Sequence, residues 1–258
     1  MQSSVNGQGR LYRQIAEEIR SRIADSTFAA GSRLPAERDL AQQFRVSRTS
    51  VREALIALEI GGFVEVRGGS GIYVSSPLPY LRPLFESVDS GPGPFELLHA
   101  RWVVEGEVAA QAARTIQAQA LQDLSASLRT LQTASASPAA HDEADRAFHL
   151  GIAEATGNCA LIQTVRSFWD QRRGPMWQKF VERYRTPRLR AVVAGDHGRI
   201  LDALARHSPQ QARQAMRRHL AGVTREFEKG WETTTMSEPV RPRPGKAASL
   251  AQLIHEAG

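Results

Sequence analysis

Residues Gly31–Val74 carry the strongest fold signal in the chain and read GSRLPAERDLAQQFRVSRTSVREALIALEIGGFVEVRGGSGIYV. Pro35 suits the start of a helix, where the missing backbone N–H would have no partner in any case. Ser47 stands where its hydroxyl can accept a free N–H at the start of the next helix, which runs from about Arg48 to Glu59. We therefore expect two short helices separated by a tight turn.

A glycine-tipped hairpin is expected after the second helix. Residues Phe63–Arg67 and Ile72–Val74 alternate as strands do, and Gly68–Gly71 places four small residues between them. A tip of this kind can lie close to a phosphate backbone. Helix, turn, helix and hairpin in this order predict a winged helix-turn-helix domain, which binds double-stranded DNA.

The second predicted helix has an apolar face and a basic face. The apolar face carries Val51, Ala54, Leu55 and Leu58, and the basic face carries Arg48, Thr49 and Arg52. Arg48 and Arg52 lie in the first turns, the part of a recognition helix that reaches base edges, and arginine matches guanine with two hydrogen bonds. Any amphipathic helix pair with surface arginines could give part of this pattern, but the whole order of elements favours DNA binding.

The composition allows two domains and excludes several other classes of protein. A chain of 258 residues can build two cores, and its net charge of +6 is modest for a DNA-binding protein, so the position of the charges matters more than their sum. Cys159 is the single cysteine, which rules out an intrachain disulfide and fits a reducing compartment. No apolar run approaches membrane-spanning length and the N-terminus lacks the apolar core of a signal peptide. We expect a cytoplasmic protein with no membrane partner.

The fold class expected from the whole chain is mainly α: a winged helix-turn-helix domain followed by an all-helical antiparallel bundle. We expect a flexible N-terminus at 1–9, the winged domain at 10–76, a proline-rich linker at 77–94, the helical domain at 95–230 and a disordered tail at 231–258. Helix-period apolar residues recur in the helical domain, in segments near 95–116, 118–134, 139–156, 158–184, 187–206 and 209–230.

One carboxylate and three imidazoles in the helical domain form a candidate metal site. Asp145 and His149 are four residues apart, so they share a helix face. His197 and His219 stand about eleven residues on either side of a turn near residue 208, which places them level with each other if the two helices form a hairpin. These donors suit Zn²⁺ or a similar divalent ion, with Ni²⁺ and Mn²⁺ as alternatives. Histidines on helices are also commonly surface or hydrogen-bonded groups, and the chain has seven.

The N-terminal motifs resemble those of the GntR family of bacterial regulators. The family pattern LPSERxLA stands here as LPAERDLA from Leu34, and SRxxVREAL stands as SRTSVREAL from Ser47. Ala36 replaces the usual serine, a change that affects the start of a helix more than the recognition of DNA. Position by position, the resemblance implies DNA contacts from Arg38, Ser47, Arg48, Thr49, Arg52, Arg67 and Gly68.

Residues 95–229 are similar to the FCD effector domain of the FadR-type subfamily. The matching motifs are Asp145-x-x-Phe148-His149, Thr156-Gly157-Asn158, Asp196-His197 and Met216-x-x-His219-Leu220. In metal-binding members the aspartate and three histidines hold a divalent cation. The resemblance therefore implies that Asp145, His149, His197 and His219 are metal ligands.

Arg101 and Asn158 are the candidate effector contacts. The resemblance implies that Arg101 binds a carboxylate of the effector with its two-pronged guanidinium, whereas spacing alone also fits an ion pair with Glu105 on a solvated helix face. Asn158 could contact the effector or cap a helix. Residues 172–177 resemble the hexuronate-responsive branch of the subfamily, which implies a sugar acid as the effector.

Taken together, these features predict a DNA-binding transcriptional regulator and not an enzyme. The resemblance implies a repressor, and a homodimer with two-fold symmetry implies a pseudo-palindromic operator. The alternative is a metal-dependent enzyme acting on a small organic acid, since an Asp/His₃ site with an open position could activate water; against it, HExxH is absent and no second acidic residue stands beside the ligands. A nucleic-acid module without an effector would leave about 130 helical residues unexplained.

Overall fold

The N-terminal domain of the computed structural model consists of three helices and a two-stranded sheet. Helices α1, α2 and α3 cover Leu11–Ala24, Glu37–Phe44 and Arg48–Ile60, and strands β1 and β2 cover Val64–Arg67 and Gly71–Val74. The structure describes residues 11–75, 91–133, 138–186 and 188–236. The expected flexible N-terminus, most of the expected linker and the tail beyond residue 236 lie outside the described residues.

Helix α2 begins two residues later than Pro35. Ala36 holds the N-cap position in an extended conformation and has no side chain that could accept a hydrogen bond. The helix ends at a turn in which Arg45 has a φ of 56°. Helix α3 begins behind Ser47, whose Oγ accepts the N–H of Ser50 at 3.1 Å. The predicted helix, tight turn and capped second helix are confirmed.

The two strands form the predicted hairpin. They pair antiparallel, with Val64 opposite Val74 and Arg67 opposite Gly71, and β1 alternates buried and exposed side chains. Gly69 and Gly71 have φ values of 69° and 109°, a backbone conformation that residues other than glycine rarely adopt. The small residues at the tip are therefore needed to turn the chain.

Seven further helices of the C-terminal domain lie within the described residues. They are α4 Pro94–Thr115, α5 Ala118–Thr133, α6 Pro138–Glu154, α7 Cys159–Gln171, α8 Pro175–Tyr184, α9 Leu189–Ala205 and α10 Pro209–Met236. The segment expected at 158–184 is two helices, because Pro175 lacks an N–H and disfavours a helical conformation at the preceding Gly174. Helix α10 runs to Met236, beyond the expected end at residue 230.

The helices pack as the bundle predicted from their apolar spacing. Helix α10 lies along α4 and α9, and α5 packs against α6. Their shared core includes the buried residues Phe148, Ile152, Val165, Ile200 and Leu220. Among the described helices, none has both the length and the apolar character needed to cross a bilayer.

A second hydrophobic core joins the two domains. It contains Leu55 and Leu58 from α3 together with Phe180 and Trp231 from the bundle. These residues are far apart in sequence and were not expected to share a core. The DNA-binding domain therefore packs directly on the helical domain.

Helix α3 also holds the start of the bundle through a buried carboxyl group. Glu53 Oε1 accepts the N–H groups of Phe95 and Glu96, each at 2.9 Å, at the N-terminus of α4, where free N–H groups need acceptors. A Cβ at Gly93 would lie only 2.2–2.4 Å from the Glu53 carboxyl group. Glycine at this position permits the close approach of the two domains.

Candidate metal site and DNA-binding face

Four side chains converge at a buried point in the helical bundle. Asp145 and His149 lie one turn apart on α6, His197 lies on α9 and His219 on α10, and their donor atoms all lie within 4.8 Å of one another. Asp145 Oδ1 is 3.2 Å from His197 Nε2 and 3.6 Å from His149 Nε2. The structure brings together the four residues predicted as ligands, and we call them the ligand cluster.

The electrostatics of the ligand cluster suit a divalent cation. Burial lowers the pKa of His149 and holds the pKa of His219 well below its usual value, so both imidazoles are neutral at neutral pH. Burial alone would raise the pKa of Asp145, but the neighbouring imidazoles and Arg172 hold it well below its usual range. The Nε2 atoms of His149 and His197 lie 3.3 Å apart, as expected for two ligands directed at one centre. An ionised carboxylate and neutral imidazoles are donors that Zn²⁺ prefers.

Glu105 lies behind the ligand cluster and orients one of its members. It is buried, and its Oε2 forms a short hydrogen bond with His149 Nδ1. A carboxylate that accepts the Nδ1–H of a histidine fixes the ring and leaves Nε2 free to bind a metal. Burial alone would raise the pKa of Glu105, but Arg101 and His149 lower it to about 2.

Sequence spacing did not place Glu105 beside the ligands, where it orients His149. Glu105 and His149 are 44 residues apart in sequence, so the contact depends on how α4 packs against α6. The only sequence signal was the position of Glu105 four residues after Arg101, on the same helix face.

Arg101 is buried beside the ligand cluster. It is 2% exposed, so the reading of its ion pair as a solvated surface contact is wrong, although the pair exists, with Nε 2.6 Å from Glu105 Oε1. The guanidinium lies over the Trp169 ring at 4.6 Å. Arg101 lines a cavity of about 40 Å³ together with Asp145 and His219, which has room for a few water molecules.

Arg172 lies between this cavity and a larger outer groove of about 520 Å³, since it lines both. Its Nη1 is 3.3 Å from Asp145 Oδ2. Its guanidinium lies 3.9 Å from the ring centre of Trp169 and 5.0 Å from that of Trp177. Sequence spacing does not identify Arg172 as a site residue, because its partners are set by the packing of α6 and α7.

Asn158 is a helix cap and not a cavity residue. Its Oδ1 accepts the N–H groups of Ala160 and Leu161 at 3.0 and 3.2 Å at the start of α7, and the residue is exposed. Trp169, at the cavity, lies eleven residues further along the same helix, roughly 16 Å away at 1.5 Å per residue. The structure therefore shows the capping role of Asn158, and its contact with an effector stays a prediction.

Most of the predicted DNA contacts lie on one exposed face. The side chains of Arg38, Arg48 and Arg67 are 83%, 65% and 45% exposed. Ser47 and Thr49 are also exposed, and Gly68 is half-buried. Most of the predicted contact residues at the start of α3 and at the hairpin are therefore at least partly exposed.

Arg52 departs from this pattern. It is 8% exposed, donates to Glu37 at 3.1 and 3.2 Å, and its Nη1 lies 3.9 Å from Glu228 Oε1 on α10. Its guanidinium also lies over the Phe95 ring at 5.6 Å. The helical spacing placed Arg52 on a free basic face, but side chains from α2, α4 and α10 cover it.

The chain matches two protein families. Residues 11–74 match the gntR family of bacterial regulatory proteins and residues 96–222 match the FCD domain. The chain is 39% identical over 235 residues to the Uxu operon transcriptional regulator of Escherichia coli (strain K12), covering 86% of this chain and 88% of that protein. It is 40% identical over 215 residues to the Exu regulon transcriptional regulator of the same strain, covering 82% of each chain. The solved structure of Streptococcus agalactiae GntR aligns with a TM-score of 0.44 and 24% identity, covering 83% of this chain and 99% of that one.

These matches decide between the three functions considered from the sequence. The relatives are transcriptional regulators, so the enzyme alternative finds no support among them. A nucleic-acid module without an effector is also unsupported, because the FCD domain spans the helical bundle. The chain belongs to the GntR family of bacterial regulatory proteins, carries a C-terminal FCD domain, and is a DNA-binding transcriptional regulator.

Proposed function

We propose that the ligand cluster binds a divalent cation and that a small carboxylate effector binds beside it and changes the affinity of the protein for operator DNA. The observation that carries this proposal is the buried convergence of three imidazoles and one carboxylate, with Glu105 orienting His149 from behind. Zinc is the first candidate, since it accepts nitrogen and oxygen donors and its coordination can expand from four to five ligands to admit an effector oxygen. Nickel and manganese are the alternatives. When bound, the cation would supply a Lewis-acidic centre for an effector oxygen.

Elemental analysis of protein purified without chelator tests the metal site. We expect about one divalent ion per chain in the wild type and loss of most of it in His197→Ala, because a buried ligand would be missing. His99→Ala is the matched control, since His99 is an exposed histidine outside the ligand cluster. Wild-type protein without bound metal would refute the proposal.

A carboxylate effector is supported by the three arginines that line the cavity, Arg101, Arg172 and Arg185. Arg101 is buried next to the ligand cluster, and a guanidinium pairs with a carboxylate through two hydrogen bonds. The cavity of about 40 Å³ is smaller than a sugar acid, so entry requires Arg172 to swing toward the outer groove. We propose a sugar acid, because residues 172–177 resemble the hexuronate-responsive branch and two relatives are named as Uxu operon and Exu regulon regulators.

Thermal-shift measurements on metal-loaded protein test the effector. A ligand that binds only the folded state raises the apparent melting temperature, so a panel of hexuronates and other organic acids should contain at least one stabilising compound. The shift should disappear in Arg101→Gln, which keeps a hydrogen-bond donor for Glu105, and persist in Arg173→Gln, where the side chain is 63% exposed. An equal shift in both variants would place the effector elsewhere.

We propose that the protein acts in the cytoplasm as a homodimeric repressor on a pseudo-palindromic operator. The predicted contacts are Arg38, Ser47, Arg48, Thr49, Arg52, Arg67 and Gly68. Two-fold symmetry in a dimer requires two related half-sites. Sedimentation equilibrium should give a dimer, and footprinting should give two protected half-sites that open when effector is added. A single protected half-site on a monomer would contradict this part of the proposal.

A further inference from the structure

The end of α10 lies on the DNA-binding face. Trp231, Glu232 and Thr235 line a groove whose other wall includes Arg48, Arg52 and the hairpin tip. The carbonyl oxygen of Thr235 accepts the N–H of Gly69 at 2.9 Å. About two helical turns before Thr235, the Glu228 carboxylate lies 3.9 Å from Arg52 Nη1.

The N–H group of Gly69 and the guanidinium of Arg52 are groups with which the winged domain would contact DNA. Free backbone N–H groups at a glycine-tipped wing contact phosphate oxygens, but the N–H of Gly69 already donates to Thr235. An arginine that reads a base edge must extend its guanidinium, but that of Arg52 is held by Glu37 and Glu228. Carboxylates and the carbonyl end of a helix are both negative, so the end of α10 presents charge of the same sign as a phosphate backbone.

We propose that residues 228–235 of α10 are an intramolecular docking surface for the recognition helix and wing, and that they compete with DNA for this face. In the docked state the winged domain is closed to DNA, and binding requires it to separate from α10. If nine molecules in ten are docked, the apparent DNA affinity is reduced roughly tenfold. Trp231, which is 3% exposed and packs on Tyr184, would anchor the docked state.

The same helix reaches the ligand cluster. His219 is a member of that cluster, Val223 and Phe227 line the cavity beside it, and Thr235 follows sixteen residues after His219, about 24 Å along a continuous helix. This coupling, unlike the docking itself, rests on the proposed function. An effector that prefers the docked state would release DNA, because a ligand shifts an equilibrium only by its differential affinity for the two states.

Full-length Glu232→Pro tests the docking surface. Proline inside a helix removes a hydrogen bond and clashes with the preceding turn, so the last turn, which carries Thr235, should unwind. Glu232→Ala is the matched control, because it removes the same carboxylate and keeps the helix. The probe is a short labelled duplex selected from random-sequence DNA by the wild-type protein, and hydrogen exchange of the Gly69 amide reports docking independently of DNA.

We expect the Gly69 amide to be protected in the wild type and in Glu232→Ala and to exchange fast in Glu232→Pro, which should bind the duplex roughly tenfold more tightly than the wild type. Fast exchange of Gly69 in the wild type would overturn the proposal, and so would an unchanged or weaker affinity in an undocked Glu232→Pro. If that variant misfolds, Glu228→Gln is tested in its place, and a smaller gain in DNA affinity is expected. An unchanged DNA affinity of Glu228→Gln would then overturn the proposal. All these measurements are made without effector. Failure of the metal or effector proposal would therefore not affect the test of docking.

Discussion

Replacing Glu53 with glutamine should remove a large part of the pH dependence of stability above about pH 5. Glu53 lies on α3 and caps α4 through the N–H groups of Phe95 and Glu96. The pKa of Glu53 is raised from 4.5 to about 7, because burial and the charge of Glu96 outweigh the two backbone hydrogen bonds and the charge of Arg52, which lower it. The folded protein therefore keeps a proton on Glu53 that the unfolded chain has already lost.

The sign and the size of the effect follow from that difference. Between the unfolded and folded pKa values the native state binds more protons than the unfolded state, so the free energy of unfolding falls as the pH rises. A shift of two and a half units at 1.36 kcal/mol per unit amounts to about 3 kcal/mol, fully present below pH 4.5 and lost as the pH passes about 7. Glutamine keeps the accepting oxygen and does not titrate.

Urea unfolding of the wild type and Glu53→Gln at several pH values between about 5 and 8 measures this effect. All other titratable groups are present in both proteins, so their contributions cancel in the difference between them. As the pH rises through this range, the free energy of unfolding of Glu53→Gln should increase by about 3 kcal/mol relative to that of the wild type. Curves that stay parallel to within about 1 kcal/mol would refute the raised pKa of Glu53.

Three further outcomes are expected. Glu105→Gln should weaken metal affinity by about 10–100-fold in a chelator competition, because the ligand histidine loses its orienting carboxylate. The control Glu107→Gln, at a half-exposed site, should leave metal affinity unchanged. Equal metal affinities in the two variants would assign Glu105 a purely structural role. Phe227→Ala should lower the free energy of unfolding by about 3–5 kcal/mol, since the side chain is 2% exposed, and a loss as small as that of Val103→Ala on the surface would contradict its place in the core. Arg48→Ala should cost about 1–3 kcal/mol in operator binding by anisotropy titration with little change in stability; unchanged binding would contradict the recognition-helix assignment.

Local sequence patterns were sufficient for the order of elements in both domains. The Ser47 cap, the apolar face of α3 and the small residues at the hairpin tip act within three or four residues of the chain, so their spacing identifies them before any packing is known. The spacing indicated the ligand cluster in the same way, through one helical turn between Asp145 and His149 and equal distances around the turn near residue 208. The choice of these four residues as metal ligands rested on the resemblance to the FCD domain. In each case the geometry of a helix or a hairpin brings the residues together.

Only the tertiary structure decided which of these groups are free to act. Arg52 is on the basic face of α3 by spacing, but Glu37 and Glu228 from other helices hold it. Glu105 orients a metal ligand because α4 packs against α6, a contact across 44 residues. Burial, the pKa values that follow from it, and the docking of α10 on the wing depend on elements distant in sequence, and no periodicity within one element encodes where such partners come to lie.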